Sequence, residues 1–182
     1  MTQAEAAGLE APAGYRIRAD RDDDYPALLK VENRAAQLFR DHGYPAISDN
    51  PFASVEDFRA MAAGHTVWVA VTPDDAPVGY AVAGRLGRFL HLRELSVDPA
   101  HGRKGLGAAL VRVVLRAGKA EGAEGVSLTT FRTVPFNAPF YEKLGFAEMP
   151  LGGAPEELRS TFEREMPPET DPSARVLMTC RC

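Results

Sequence analysis

The stretch that most constrains the fold is a strand, a short turn and a helix in immediate succession between Phe89 and Arg116. Apolar residues alternate with polar ones up to Val97, as is typical of a partly buried strand, and Asp98 and Pro99 then break it. From Leu106 onward the apolar residues recur every three or four positions, as on an amphipathic helix. Within the stretch from Phe89 to Arg116, glycines occur only where this helix begins. Because first-turn amides lack partners and carry the positive end of the helix dipole, the turn predicts an anion-binding site.

Two nucleotide-binding motifs share part of this glycine pattern. A phosphate-binding P-loop fits the interval from Gly102 to Gly107, but it requires Lys and then Ser or Thr next, where two alanines stand. A dinucleotide fingerprint that begins at Gly105 needs a small third residue, and Leu110 stands there without a preceding βαβ opening. Neither motif is therefore supported.

The glycine pattern instead resembles the pyrophosphate loop of the GNAT superfamily of N-acetyltransferases. That motif reads Gln or Arg, two residues, Gly, one residue, then Gly or Ala, and Gly105 and Gly107 match it. Gly102 occupies the Gln or Arg position, and Arg103 and Lys104 follow it. Which cation meets the phosphates is left open, and a plain glycine-rich strand-to-helix turn would give the same short pattern.

A second run, NAPFYEKLGF, predicts a short helix. Asn137 is a suitable helix cap, Pro139 is tolerated in the first turn, and Gly145 can end the helix in the left-handed region. Tyr141, four residues after Asn137, lies on the same side of the helix. The run resembles the second GNAT signature, in which the Asn contacts the pantetheine arm of coenzyme A and the Tyr hydroxyl lies near its sulfur. An amphipathic helix with an aromatic core residue is the alternative.

Length and composition favour a single domain with a sizeable core. The chain has 182 residues and a formal net charge of −4, and no basic stripe favours nucleic acid. We expect a disordered tail over residues 1–13 and one acetyltransferase domain over residues 14–182, without signal peptide or membrane span. The two cysteines, Cys180 and Cys182, share one face of a late strand without metal-ligand spacing. A reducing cytoplasm is the simplest setting.

Periodicity and turn residues predict the other helices and strands. We expect a strand at Tyr15–Ala19, helices from Asp22 to about Arg40 and from Ser54, and strands at Thr66–Thr72, Val78–Arg85, Phe89–Val97, Val126–Phe131 and Arg175–Arg181. Residues 155–166 predict an exposed helix. This order predicts an α+β fold, and the resemblance implies a mixed, mostly antiparallel sheet flanked by helices, with a central V-shaped splay between the third and fourth central strands.

The resemblance also implies the cofactor and the residues that hold it. Acetyl coenzyme A would enter the splay, with backbone groups of Leu95 and Val97 along the pantetheine and the thioester. No metal and no covalent intermediate are expected. The residues expected to bind the cofactor are Leu95, Ser96, Val97, Gly102, Arg103, Lys104, Gly105, Leu106, Gly107, Ala108, Asn137 and Tyr141.

Acyl transfer to an amine requires an acid for the thiolate and a base for the ammonium. Tyr141 is the candidate acid. Glu94 and His91 are candidate bases, and Glu32 is a third carboxylate that could hold a cationic amine. Strict alternation puts His91 and Glu94 on opposite faces of their strand, and a bulge would reverse that phase. For all three residues an ordinary structural role is the alternative.

We therefore predict an acetyl-CoA-dependent N-acetyltransferase that acts on a primary amine by direct attack in a ternary complex. A small-molecule acceptor is expected, with neither nucleic acid nor membrane as partner, and a homodimer is compatible with the resemblance. Two alternatives are a non-catalytic acyl-CoA-binding sensor and an enzyme that uses a longer acyl chain or a protein N-terminus. The acceptor site would come from the early helices, residues 42–51 and the C-terminal segment, which carry no specific motif.

Overall fold

The computed structural model describes residues 11–182 of the chain. The tail expected over residues 1–13 therefore lies outside the described residues, except for its last three positions. One of these three residues, Pro12, accepts a hydrogen bond through its carbonyl from the amide of Tyr15 at 3.0 Å. The described chain thus begins with a turn that leads into the first strand.

Helices and strands follow closely the order that the sequence predicts. In residues 11–182 the strands are β1 (Arg16–Ala19), β2 (Thr66–Val71), β3 (Pro77–Leu86), β4 (Phe89–Val97), β5 (Gly125–Phe131), β6 (Ala147–Glu148) and β7 (Arg175–Arg181). The α-helices of the same residues are α1 (Tyr25–Ala36), α2 (Pro45–Asp49), α3 (Val55–Ala62), α4 (Leu106–Ala120), α5 (Ala138–Glu142) and α6 (Glu156–Arg164). Short 3₁₀ turns precede or follow several of them.

The strands form one mixed sheet in the order β1-β2-β3-β4-β5-β7-β6. The pairs β1–β2, β2–β3, β5–β7 and β6–β7 are antiparallel, whereas β4 and β5 are parallel. The parallel ladder joins Phe89, Leu90 and His91 to Gly125, Val126 and Ser127. An α+β fold with a mostly antiparallel sheet flanked by helices is thus confirmed.

By its contacts the chain divides into two compact units. The first unit comprises residues 11–84 and 94–114 of the described chain. Its core packs α1 and α3 onto the inner faces of β2 and β3, with the fully buried ring of Phe58 at the centre. Phe58 makes edge contacts with Tyr25, Phe52 and Tyr80 at centroid distances of 5.2–5.8 Å. Burying side chains of this size contributes roughly 1.5–3 kcal/mol each, so this cluster fixes α1 and α3 on the sheet.

The second unit comprises residues 85–93 and 115–182. All seven residues of β5 pair with β7, from Gly125 opposite Arg181 to Phe131 opposite Arg175. One core cluster joins Phe89 and Leu177 to Leu158 and Phe162 of α6. The prediction of an exposed helix here is wrong, because one face of α6 is buried. Its two buried apolar residues lie four positions apart, which is the spacing of one helix face.

Some local elements differ from the prediction. Helix α1 ends at Ala36 and continues as a 3₁₀ turn to His42, after which Gly43 adopts a left-handed φ of +86°. Helix α3 begins as expected, since the Ser54 hydroxyl accepts a hydrogen bond from the Asp57 amide at 3.1 Å. Helix α2 and strand β6 were not predicted.

Candidate functional site

The turn between β4 and α4 belongs to the first unit and has a distinctive backbone. A 3₁₀ turn over Pro99–His101 follows β4, and the Asp98 carboxylate accepts a hydrogen bond from the Ala100 amide at 3.0 Å. Arg103 and Gly105 then adopt left-handed φ values of +58° and +83°. For Gly105 this conformation costs nothing, whereas for Arg103 it is uncommon. The left-handed backbone of Gly105 and of Arg103 therefore sets the path of the chain into the start of α4.

The first turn of α4 has the unpaired backbone amides that are typical of a helix start. The first helical hydrogen bond runs from the Ala109 amide to the Gly105 carbonyl, so the amides of Leu106, Gly107 and Ala108 have no partner within the helix. Leu106 is buried, while Gly107 and Ala108 are half-exposed and open to a ligand. With the helix dipole, these amides can hold a phosphate group.

The two cations of the turn differ in their surroundings. The ammonium of Lys104 donates to the hydroxyl of Tyr15 at 3.2 Å and lies 5.9 Å from its ring centroid. The same hydroxyl is 2.9 Å from His101 Nδ1. The side chain of Arg103 is exposed, and within the described chain no hydrogen bond or ion pair involves it. Lys104 is thus tethered, and Arg103 is available to an anion.

Glycine at position 102 has a local explanation. It ends the 3₁₀ turn, and its amide donates to the Pro99 carbonyl at 3.1 Å. A Cβ atom there would lie 3.2 Å from that carbonyl oxygen, which is tighter than ordinary contact. The compact turn therefore favours glycine where the GNAT motif has Gln or Arg.

The last residues of β4 also lie in the first unit. Leu95 and Val97 are half-buried, and Ser96 between them is buried. The amide of Leu95 is 3.2 Å from a carboxylate oxygen of Glu94, its neighbour in the chain. A Cβ atom on Gly79 of β3 would lie 3.1 Å from the Ser96 carbonyl. Glycine in β3 thus allows close packing against this end of β4.

A carboxylate held by two hydroxyl groups lies in the same unit. Tyr80 donates to Glu32 Oε2 at 2.5 Å, and Ser96 donates to the same oxygen at 2.6 Å. Burial, together with the charges of Glu32 and Glu94, raises the pKa of Tyr80 well above its ordinary value. The structure thus joins two predicted residues, Glu32 and Ser96, directly, and it adds a tyrosine that the sequence did not single out. An aromatic residue in a buried strand gives no local signal of such a contact.

His91 lies in the second unit, in a buried polar network. Its Nδ1 is 3.0 Å from the Ser127 hydroxyl, and its Nε2 is 3.2 Å from the Glu165 carboxylate. Thr129 donates to that carboxylate at 2.7 Å and accepts from Arg175 at the same distance. Burial alone would raise the pKa of Glu165, but the contact with His91, the bond from Thr129 and the charge of Arg175 lower it below its ordinary value.

Asn137 and Tyr141 also lie in the second unit, at the start of α5 and within it. Asn137 is the first residue before the helix, but its side-chain oxygen accepts from the Phe131 amide at 3.3 Å rather than from the helix. The expected side-chain cap is therefore absent at this position. Tyr141 is buried between Phe140 and Phe146, with centroid distances of 5.1 Å and 5.6 Å. Gly145 ends the segment with a φ of +93°, as predicted.

The predicted residues thus form separate groups. The turn between β4 and α4 and the Glu32–Ser96 pair belong to the first unit, as does Glu94, while His91, Asn137 and Tyr141 belong to the second. No group of three or more His, Cys, Asp or Glu side chains in residues 11–182 has the arrangement of a metal site. Among those residues, no helix is both long and apolar enough to cross a membrane.

Comparisons with known proteins match this fold. Residues 21–146 match the acetyltransferase (GNAT) family. Glucosamine 6-phosphate N-acetyltransferase 1 from Oryza sativa subsp. japonica is 31% identical over 159 residues, covering 80% of this chain and 88% of the rice protein.

Two solved structures illustrate the likeness of fold. A GCN5-related N-acetyltransferase from Rhodopseudomonas palustris has a TM-score of 0.68 at 19% identity, covering 96% of this chain and 100% of that one. The PaiA N-acetyltransferase from Thermoplasma acidophilum, solved in complex with coenzyme A, has a TM-score of 0.64 at 17% identity. The match covers 92% of this chain and 99% of the PaiA chain.

The family match and the rice relative define an acetyl-CoA-dependent N-acetyltransferase. The chain belongs to the acetyltransferase (GNAT) family. Its cosubstrate is acetyl-CoA, and the acceptors of its acetyl group are amines.

Proposed function

We propose that the protein transfers the acetyl group of acetyl-CoA to the primary amine of a small molecule, by direct attack in a ternary complex. The observation that carries this assignment is the carboxylate of Glu32, which two hydroxyl groups hold in the same unit as the phosphate-binding turn. A half-buried, fixed carboxylate is suited to an acceptor that arrives as an ammonium ion.

The phosphate end of the cofactor fits the start of α4. The amides of Leu106, Gly107 and Ala108 would bind the pyrophosphate, with Arg103 as the cation and Lys104 as a nearby positive charge. Gly102 and Gly105 shape the turn that exposes these amides. The backbone from Leu95 through Ser96 to Val97 would follow the pantetheine and the thioester. In the second unit, Asn137 would contact the pantetheine arm, and Tyr141 the sulfur.

Direct attack is favoured over a covalent relay through cysteine. Burial raises the pKa of the Cys180 thiol. Burial, with a smaller contribution from Cys180, also raises the pKa of Cys182. A raised pKa leaves less of the nucleophilic thiolate at neutral pH. Both thiols also lie at the end of β7, with Cys182 Sγ 3.6 Å from the carbonyl of Leu115.

We assign the base to Glu94 rather than to His91. Glu94 is half-exposed, and its charge contributes to the raised pKa of Tyr80, the tyrosine that donates to Glu32. Both ring nitrogens of His91 have partners, Ser127 and Glu165, so the imidazole is engaged in the packing of its own unit. The amine proton would pass to Glu94 directly or through water.

The reaction then balances without any further reagent. The neutral amine nitrogen attacks the thioester carbonyl carbon, and the carbon–sulfur bond breaks as the amide forms. Glu94 takes the first proton from the ammonium before attack and later releases it to water. As the amide forms, the nitrogen loses a second proton. The Tyr141 hydroxyl supplies one proton to the departing sulfur, and the second proton from the nitrogen restores the phenol, so that coenzyme A leaves as a thiol. Backbone amide donors would stabilise the negative charge that develops on the carbonyl oxygen.

An amino sugar is the first acceptor to test. The rice relative, 31% identical over most of both chains, is named for acetylation of glucosamine 6-phosphate. Thiol release from acetyl-CoA should be measured with glucosamine 6-phosphate, glucosamine, spermidine, free amino acids and a peptide with a free N-terminus. We expect turnover with at least one small amine.

The same assay separates the alternatives. Coenzyme A binding without thiol release would favour a sensor, and preference for the peptide would favour a protein N-terminus as acceptor. Replacing acetyl-CoA with butyryl-CoA and octanoyl-CoA tests for a longer acyl chain. Glu32→Gln should raise the KM for the amine and leave the KM for acetyl-CoA unchanged, and an unchanged amine KM would contradict the role of Glu32.

A further inference from the structure

The carboxylate of Glu32 is held asymmetrically. Its Oε2 accepts hydrogen bonds from both the Tyr80 and the Ser96 hydroxyls, at 2.5 Å and 2.6 Å. Its Oε1 accepts no hydrogen bond within residues 11–182, and the Glu32 side chain is half-exposed. A carboxylate oxygen that lacks a donor retains full capacity to accept one from a ligand.

The hydroxyl of Tyr80 is a permanent donor to this carboxylate. The residue is fully buried in the core cluster of the first unit, and its ring packs edge-on against Phe58 at 5.2 Å. Burial, followed by the negative charges of Glu32 and Glu94, keeps the phenol protonated at any ordinary pH. The ring cannot swing away, so the direction of its hydroxyl is set by the core rather than by the surface.

We propose that Tyr80 is a positioning residue, which together with Ser96 fixes Glu32 so that its Oε1 receives the ammonium group of the acceptor amine. This assignment deepens the proposed function and rests on it. The substrate class it implies is an amine that is protonated in solution. Tyr80 does not touch the substrate, and it acts through the orientation of Glu32.

Tyr80→Phe tests this role with little disturbance to packing. Phenylalanine keeps the edge contact with Phe58 and removes only the hydroxyl. Glu32 then keeps a single donor, Ser96, and its carboxylate can rotate. We expect the amine KM to rise about tenfold, which corresponds to roughly 1.4 kcal/mol of binding, while the acetyl-CoA KM stays within about twofold. Ser96→Ala, which removes the other donor, should shift the amine KM in the same direction.

The chain provides a matched control in the same core cluster. Tyr25 also packs against Phe58, and its hydroxyl donates to the Asp20 carboxylate at 2.8 Å. Tyr25→Phe therefore removes the same atom from the same cluster, but from a carboxylate that has no assigned role in the reaction. We expect its effect on melting temperature to resemble that of Tyr80→Phe, and its amine KM to match that of the unmodified enzyme.

The decisive experiment compares Tyr80→Phe, Glu32→Gln and the double variant. Steady-state rates are measured with glucosamine 6-phosphate, or with the best amine of the panel if that sugar is not acetylated. If Tyr80 acts through Glu32, it adds little to the amine KM once Glu32 is Gln, so the two effects are not additive. Additive effects, or equal amine KM values for Tyr80→Phe and Tyr25→Phe, would overturn the positioning role.

Failure of the proposed function looks different. If Glu32→Gln leaves the amine KM unchanged, the acceptor role of Glu32 is lost and the positioning role with it. If Glu32→Gln raises the amine KM and Tyr80→Phe does not, only the positioning role is lost. Should Tyr80→Phe fail to fold, Ser96→Ala, combined with Glu32→Gln in the same way, tests whether the hydroxyl donors to Oε2 position Glu32, and additive effects there would overturn the proposal.

Discussion

His91 and Glu165 are hydrogen-bonded at 3.2 Å across 74 positions of the sequence. Their contact ties β4 to the residue that follows α6, inside the second unit. Thr129 and Arg175 complete the network from β5 and β7. Three strands and one helix thus meet at a single carboxylate, whose ionisation should affect the stability of the unit.

Glu165→Gln should destabilise the protein in a pH-dependent way. The folded pKa of Glu165 is lower than the ordinary value of 4.5, so its carboxylate stabilises the fold above that pH. The contribution is lost as the pH falls through the lower, folded pKa. We expect a cost of about 1–3 kcal/mol at pH 7, which shrinks below about pH 4. Urea unfolding at both pH values measures it.

Glu163→Gln is the control for that experiment. Glu163 lies two residues earlier in α6 and is exposed. Its replacement should change the free energy of unfolding by less than about 0.5 kcal/mol at either pH. Equal effects of the two substitutions would show that the network around Glu165 does not contribute to the free energy of unfolding.

Gly107→Val should weaken coenzyme A binding without unfolding the protein. Gly107 lies in the first turn of α4, where a branched side chain would project at the proposed pyrophosphate site. We expect a graded loss, with Gly107→Ala milder than Gly107→Val. Calorimetric titration with coenzyme A measures the affinity, and thermal unfolding of the free protein reports the fold. Unchanged affinity in a folded Val variant would argue against the site.

Arg103 and Lys104 should contribute unequally to phosphate binding. Arg103 is exposed, whereas Lys104 is held by Tyr15. Arg103→Asn keeps a residue that tolerates the left-handed backbone and removes the charge. We expect about a tenfold loss of coenzyme A affinity for this variant, as for one lost charged hydrogen bond, and a smaller loss for Lys104→Gln. Pantetheine, which lacks the pyrophosphate, is the matched ligand, and its binding should not change. The reverse order would assign the phosphates to Lys104.

Tyr141→Phe separates catalysis from packing. If the hydroxyl protonates the departing sulfur, its loss should lower kcat by roughly ten- to a few thousandfold, and we expect the lower end since a thiolate is a good leaving group. Cofactor affinity should stay within a few fold. Tyr141→Ala should in addition cost about 3–5 kcal/mol through the cavity between Phe140 and Phe146. A fully active Phe variant would remove Tyr141 from the mechanism.

Elements with a long apolar period were predictable from the sequence. Helix α4 buries one face over several turns, so its pattern extends over many residues. In strand β4 the apolar alternation indicated a strand, although Phe89 to Leu92 are buried on both faces. Helix α2 and strand β6 have five and two residues, too few for a period to emerge. Local chemistry was predictable where one residue decides it, as at Ser54 and Gly145.

In the candidate site, too, features that are local in the sequence were predictable and contacts between distant residues were not. The proposed phosphate-binding turn is continuous in sequence, and its glycines could be recognised directly. Contacts between distant residues could not, because nothing near Tyr80 or Glu165 indicates which carboxylate or imidazole will fold against it. The tether of Lys104 by Tyr15 likewise joins positions 89 apart. Long-range pairs depend on the packing of whole elements, which a local pattern does not encode.

Because β5 pairs with β7, which lies about fifty residues later in the chain, β5 has to wait for this partner strand during synthesis. Ribosomes deliver residues from the N-terminus at roughly 5–20 per second, so the last segment of the first unit, ending at residue 114, emerges before either strand. In the described part of the chain, β7 pairs with one edge of strand β5, whose residues Val126 and Leu128 are buried. Until residues 175–181 emerge, the nascent chain has an open, apolar strand edge, which is where chaperones and aggregation compete for it.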